Sequence, residues 1–309
     1  MSEVEERKNV AFVIHVLAIF NLGMVVCNKI NSPGCGVSEP VVARIIGGTK
    51  IERTQIPWMV QLEVTYRWNV TAFVSMSCGG SIISPSFILT AAHCVHYVNA
   101  RPIFARAFYN TTEAGQGPYV WVEDMIHHPM FQWTTLRNDI ALIKVEKPLC
   151  FDDYVRPVCL PYKRMHLDGQ RGMVSGWGLT AENGTASHVL MYVFKRILSI
   201  EECKLFLELP EQTEALKKDN ILCAMMPGKG SCQGDSGGPL TVMSMNRRSV
   251  QVGIVSYGRG CGRSNEPGIY ARVDNYVSWI RQVMRSSRRP RWRLPTVMEM
   301  LLQYVISLG

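Results

Sequence analysis

An all-β fold, an antiparallel sandwich or barrel closed by one short helix, is predicted by two observations on this 309-residue chain. Between residues 45 and 280, short β-favouring runs alternate with turns rich in Gly, Pro, Asn and Ser. The runs are WMVQLEV from Trp58, GSIISPSFILTAA from Gly80, IALIKV from Ile140, GMVSGWG from Gly172, SVQVGIVSYG from Ser249 and GIYARV from Gly268. Second, neither an internal repeat nor a heptad pattern competes with that reading. The stretch from Ile200 to Leu216 has room for a helical turn. Residues Asn275 to Met284, with Tyr276, Val277, Ile280 and Met284 on one face, are expected to form a terminal amphipathic helix. A hydrophobic content of 47% supplies an extensive core and excludes a disordered chain.

Both ends differ from this middle. Val10 to Val26 is apolar apart from His15 and Asn21 and follows the acidic stretch SEVEERK, which suits a secretory signal or a short anchor. Beyond Arg285 the sequence SSRRPRWRLP is basic and proline-containing, and Leu294 to Leu308 is apolar but interrupted by Glu299 and Gln303. The expected organisation is a signal or anchor segment and the sequence following it over 1–44, a β-rich domain over 45–285 and a basic, then amphipathic, tail over 286–309. Formal charge is +8, and Arg285, Arg288, Arg289, Arg291 and Arg293, with Trp292 among them, would attract polyanions such as sulfated glycans. No motif for specific nucleic-acid recognition accompanies them.

The 10 cysteines include no C-x-x-C pair, so neither a zinc site nor a dithiol redox centre is expected, and nothing points to an organic cofactor. An even count suits disulfides and an oxidising compartment. Sequons at Asn69, Asn110 and Asn183 fit the same secretory route.

Chemistry enters with three scattered residues. KGSCQGDSGGP, from Lys229 to Pro239, sets Ser236 among glycines; His93 lies in LTAAHCV; Asp139 opens RNDIALIKV. A serine hydroxyl is a weak nucleophile at neutral pH, so a histidine must take its proton and later return it to the leaving amine. A buried carboxylate holds that histidine in the right tautomer and stabilises the imidazolium. Ser236 is thus the expected nucleophile, His93 the general base and acid, and Asp139 the orienting group. The chain order His, Asp, Ser matches one of the known triad orders.

With LTAAHC, NDIAL, GDSGGP, SGWG, VSYG and ARIIGG in sequence, residues Cys35 to Met284 resemble the trypsin-like (chymotrypsin-family) serine endopeptidases. The resemblance implies two packed six-stranded antiparallel barrels with a short C-terminal helix. It implies an oxyanion hole from the backbone N–H groups of Gly234 and Ser236, and a zymogen cleaved between Arg44 and Ile45, whose new ammonium pairs with Asp235. It also implies protein substrates and control by serine protease inhibitors. Implied disulfides are Cys78 with Cys94, Cys203 with Cys223, Cys232 with Cys261 and Cys35 with Cys159, the last a tether for the propeptide. Cys27 and Cys150 remain, and a second tether between them is acrosin-like; an acrosomal location would follow from that likeness alone. One bridge common in the family is missing on both sides, because Gly172 and Val242 stand where relatives carry cysteines.

Gly230 is the departure with most consequence. Six residues before the nucleophile, trypsin-like enzymes place an aspartate that pairs with a substrate Arg or Lys. With Gly230 there and small residues at Gly258 and Gly268, the pocket is expected to be open and without a counter-ion, and a buried unpaired guanidinium is costly. A bulky apolar or aromatic residue is therefore expected on the acyl side of the cut bond. Another trypsin-like protease would then be needed at Arg44–Ile45. Lys229 and Ser231 beside Gly230 are not acidic, and Glu266, just before Pro267 and Gly268, is the candidate for a carboxylate supplied from elsewhere. Ser256 and Gly258 resemble the strand that pairs with substrate backbone, with Tyr257 lining the cleft.

Overall fold

The computed structural model describes residues 30–41, 49–67, 72–97, 100–179, 184–206, 220–226, 234–258 and 266–287. Strand Met59–Arg67 (β2) alternates apolar and polar residues and buries Val60, Leu62, Val64 and Tyr66, as a sheet with one covered face requires. It begins a closed barrel with Phe73–Ser84 (β3), Phe87–Thr90 (β4), Arg101–Tyr109 (β5), Tyr119–His127 (β6) and Ala141–Val145 (β7). The order around the barrel is β2-β3-β4-β7-β6-β5, every pairing is antiparallel, and β5 returns to β2. Closure leaves no sheet edge open to another chain.

A second ring follows: Arg171–Gly176 (β8), Met191–Ile197 (β9), Ile221–Met225 (β10), Pro239–Met243 (β11), Ser249–Tyr257 (β12) and Gly268–Arg272 (β13). Its order is β9-β10-β13-β12-β11-β8, closed by β8 pairing with β9, while the two-residue strand Thr49–Lys50 (β1) adds to β9. Val174, Leu240, Val252 and Tyr270 fill its interior. A β-carbon at Gly172 would lie 2.6 Å from Leu240 Cδ1, so the leucine occupies space beside the glycine. The two-barrel architecture agrees with expectation.

The barrels meet through β3. Gly79 N–H donates to the Ser236 carbonyl at 2.7 Å, and buried Ser81 Oγ donates to Gln251 Oε1 at 2.5 Å. Residues 30–41 dock on the second barrel. Cys35 is bonded to Cys159, Asn31 exchanges hydrogen bonds with the backbone of Leu160, and Arg248 Nη1 donates to the carbonyls of Pro33 and Cys35. Disulfides also join Cys78 to Cys94 and Cys203 to Cys223. Among the described cysteines, Cys150 is exposed and lies outside these bonds; Cys27, Cys232 and Cys261 lie outside the described residues.

The turn expected near Ile200 is the short helix Ile200–Lys204 (α1), started by a capping box between Ser199 and Glu202. The chain divides into units of residues 1–277 and 278–309. Helix Val277–Ser286 (α2) makes up most of what is described of the second, starting later than expected because Val273–Asn275 is a 3-10 turn. Among the described residues no helix is long and apolar enough to cross a membrane. The apolar runs at 10–26 and 294–308, most of the basic tail, and Arg44, Ile45, Asn69, Asn183 and Gly230 lie outside the described residues.

Candidate active site

His93 is held by its neighbours before its side chain is considered. Ala92–Cys94 is one 3-10 turn directly after β4, and the Cys78 bridge ties that turn to β3. Buried Tyr66 donates its hydroxyl to the Cys94 carbonyl at 3.1 Å. Burial pushes the Tyr66 phenol well above its ordinary pKa, which keeps it a donor.

Asp139, only 1% exposed, receives three hydrogen bonds. The His93 backbone N–H donates to Oδ1 at 2.9 Å, His93 Nδ1 lies 2.8 Å from Oδ2, and the Ser256 hydroxyl donates to Oδ2 at 2.5 Å. A carboxylate can only accept, so His93 Nδ1 carries the proton and Nε2 keeps a lone pair. The His93 side chain remains 14% exposed, enough to meet a reactant.

Two further groups place Asp139. Asn138 adopts φ 53°, a conformation tolerated by Asn, and its Nδ2 donates to the Met130 carbonyl at 2.8 Å. Its Oδ1 accepts the Tyr276 hydroxyl at 3.1 Å. Burial first, and the charge of Asp139 second, push the Tyr276 pKa well upward, so that hydroxyl remains a donor.

Ser236 occupies a turn that only glycines permit. Gly234 has φ +95° and Gly237 φ +79°. A β-carbon at Gly237 would come within 2.5 Å of the Gly79 carbonyl, and one at Gly79 within 2.8 Å of Gly238 Cα. The turn is pinned by Gly237 N–H to Val255 O at 2.8 Å and Gly238 N–H to Asp235 O at 2.9 Å. Asp235 Oδ1 accepts the Gly178 N–H at 2.9 Å. Among the described residues the N–H groups of Gly234 and Ser236 donate no hydrogen bond, and none joins the Ser236 side chain to His93.

Ser256 has a place that sequence reading missed. Between Val255 and Tyr257 the register of β12 on β13 shifts, and Ser256 is the residue in the bulge. Bulges re-aim side chains beside active sites, and this one turns the hydroxyl onto Asp139. VSYG carries no local signal of that bond. Tyr276 was likewise readable only as part of an apolar helix face. Tyr257 is half-buried, Gly258 exposed and Gly268 buried at the start of β13. Asn110 is half-buried, with Oδ1 accepting from Arg53 at 3.3 Å.

Ligand atoms of Cys78, His93 and Cys94 lie within 4.8 Å of one another, but the two sulfurs are bonded to each other. They are not thiolates and suit no metal.

Comparisons with known proteins agree with this geometry. The family model described as Trypsin matches residues 45–280. The chain is 36% identical over 263 residues to serine proteinase stubble of Drosophila melanogaster, covering 81% of this chain and 32% of that protein. It is 33% identical to transmembrane protease serine 9 of Rattus norvegicus over 82% of this chain and 23% of that protein. It is 34% identical to trypsin of Squalus acanthias over 79% of this chain and 97% of that one. The chain thus spans about a third or less of the first two relatives and nearly all of the third. On the family match, the order of its motifs and the paired barrels around His93, Asp139 and Ser236, the chain belongs to the trypsin family.

Proposed function

We propose that this chain is a zymogen-derived serine endopeptidase that hydrolyses peptide bonds through an acyl-enzyme. The observation that carries the reading is the set of hydrogen bonds on Asp139, which leaves His93 Nε2 as a base. In this reaction Ser236 Oγ attacks the scissile carbonyl while its proton passes to His93 Nε2. The N–H groups of Gly234 and Ser236 receive the developing oxyanion, each worth about 3 kcal/mol to the transition state. His93 then protonates the leaving amine, and water, activated by the same histidine, releases the acid and restores Ser236.

Activation would come from cleavage at Arg44–Ile45, the new ammonium pairing with Asp235. The docked segment 30–41 with its Cys35–Cys159 bond supports a propeptide that stays attached. A Cys27–Cys150 bond would add the second tether, and Cys232–Cys261 would close the segment behind Ser236. Gly230 in place of an acid argues for cleavage after large apolar or aromatic residues and for a separate trypsin-like activator. Protein substrates and serine protease inhibitors are the expected partners. The disulfides support passage through the secretory pathway, where Asn69, Asn110 and Asn183 would be glycosylated.

The test is to cut the purified proprotein at Arg44–Ile45, remove the cutting protease and profile a diverse peptide library against a Ser236→Ala control. Serine-dependent cuts after Tyr, Phe, Leu or Met are expected. Cuts after Arg or Lys would overturn the pocket reading, and folded, processed protein with no serine-dependent activity would overturn the peptidase reading.

A further inference from the structure

Two histidines outside the triad share one small space. His96, at the end of the His93 turn, and His127, the last residue of β6, have ring centroids 4.8 Å apart with planes at 64°. Phe131 stands edge-on to both, 5.8 Å from the first ring and 6.2 Å from the second. Trp133, 6.4 Å from His96 and 6.3 Å from Phe131, completes an aromatic wall. Both imidazoles are only half-buried, so the space is reachable from solvent.

The tautomer of His127 follows from its surroundings. Its Nδ1 lies 3.1 Å from the His128 carbonyl, an acceptor, so Nδ1 carries the proton and Nε2 keeps a lone pair. A backbone carbonyl bonded to one ring nitrogen is the usual arrangement behind a metal-ligating histidine. His128 is committed elsewhere, accepting the Met130 N–H on Nδ1 at 3.2 Å and standing edge-on to Tyr276. Two imidazoles bound to one tetrahedral ion, with metal–nitrogen bonds of about 2.0–2.1 Å, hold their centroids about 5 Å apart. The observed 4.8 Å fits that separation.

We propose that His96 and His127 form a binding site for one borderline divalent cation, Zn²⁺ or Cu²⁺, with water completing the coordination shell. Imidazole pairs suit these ions and not Mg²⁺ or Ca²⁺, which require oxygen ligands. No spacing in the sequence announces the pair, because its members come from a turn and a strand on opposite sides of the β4–β7–β6 connection.

Zinc chloride titrated calorimetrically into the full, uncleaved chain, freed of any affinity histidines, tests the site without reference to hydrolysis. A single saturable zinc site is expected, weakened at least about tenfold by either His96→Gln or His127→Gln and unchanged by His166→Gln on the exposed loop before β8. Absence of saturable binding, or a His96→Gln/His127→Gln protein that binds as the parent does, would overturn the proposal. A loss of equal size in His166→Gln would do the same. If a variant fails to fold, imidazole nitrogen spectra of the parent chain replace it: zinc has to shift two mutually contacting rings and leave the other histidines unmoved.

Discussion

A single methyl group at Gly178 offers a direct test of how the turn that carries Ser236, the proposed nucleophile, is held. A β-carbon there would lie 2.6 Å from Asp235 Cγ and 2.7 Å from each carboxylate oxygen. Ordinary contact begins at 3.4 Å, so Gly178→Ala forces the carboxylate to move by about 0.8 Å, the difference between 3.4 and 2.6 Å. The same carboxylate accepts the Gly178 N–H at 2.9 Å, so bond and contact are disturbed together. Asp235 immediately precedes Ser236, and a misplacement near 1 Å is worth about 10²-fold in rate, or about 2.7 kcal/mol. The expected loss is in kcat, with KM little changed, because the oxyanion donors act on the transition state. Activated enzyme would be counted by active-site titration and assayed on the preferred peptide, with Gly34→Ala, which has nothing within 4 Å, as the control. Overpacking is also expected to cost about 1–3 kcal/mol of stability, read from thermal unfolding of the same samples. Unchanged kcat in folded Gly178→Ala protein, or a loss confined to KM, would refute the coupling between Asp235 and the oxyanion hole.

Three other outcomes follow from particular contacts. Arg272 and Asp274 are 7% and 3% exposed and paired through Nε–Oδ1 at 2.8 Å and Nη2–Oδ2 at 3.1 Å; Asp274→Ala should lower the unfolding free energy by about 3–5 kcal/mol in urea titrations, and a change no larger than the roughly 0–1 kcal/mol of a surface pair would contradict this. The Arg196 hydrogen bond first, and the Ser199 backbone N–H next, hold the Glu202 carboxyl down at about 2. Because the folded value is depressed, the interaction contributes above the ordinary carboxyl pKa and is lost as pH falls toward about 2; carboxyl carbon spectra should show the midpoint rising in Arg196→Ala, and an unmoved midpoint would rule out this pair as the cause. If Cys27 and Cys150 form the proposed second tether, Cys35→Ser protein cleaved at Arg44–Ile45 should keep its light chain under non-reducing conditions, and only Cys35→Ser with Cys150→Ser should release it. Release from the single variant would remove that tether.

Much of the architecture was legible in the sequence because strand patterning is local. The runs beginning at Trp58, Ile140, Gly172, Ser249 and Gly268 became β2, β7, β8, β12 and β13, and that beginning at Gly80 became the end of β3 with β4. Strand β5 escaped notice because RPIFARAFY opens with Arg and Pro and exposes Ile103 and Phe104 at 47% and 42%, so its pattern is not that of a covered strand. His93, Asp139 and Ser236 were expected from motifs whose residue types suit the chemistry, and the structure brings His93 against Asp139. Their support was not: the Ser256 bond to Asp139 spans 117 positions and needs a bulge, and the Tyr276 bond to Asn138 spans 138. Residue type and short-range spacing determine what a segment can become and which chemistry a side chain can perform. Distances between side chains far apart in the chain, from Asp235 beside Gly178 to His96 against His127, arise only when the barrels close, because strand register and bulges then set where each one points.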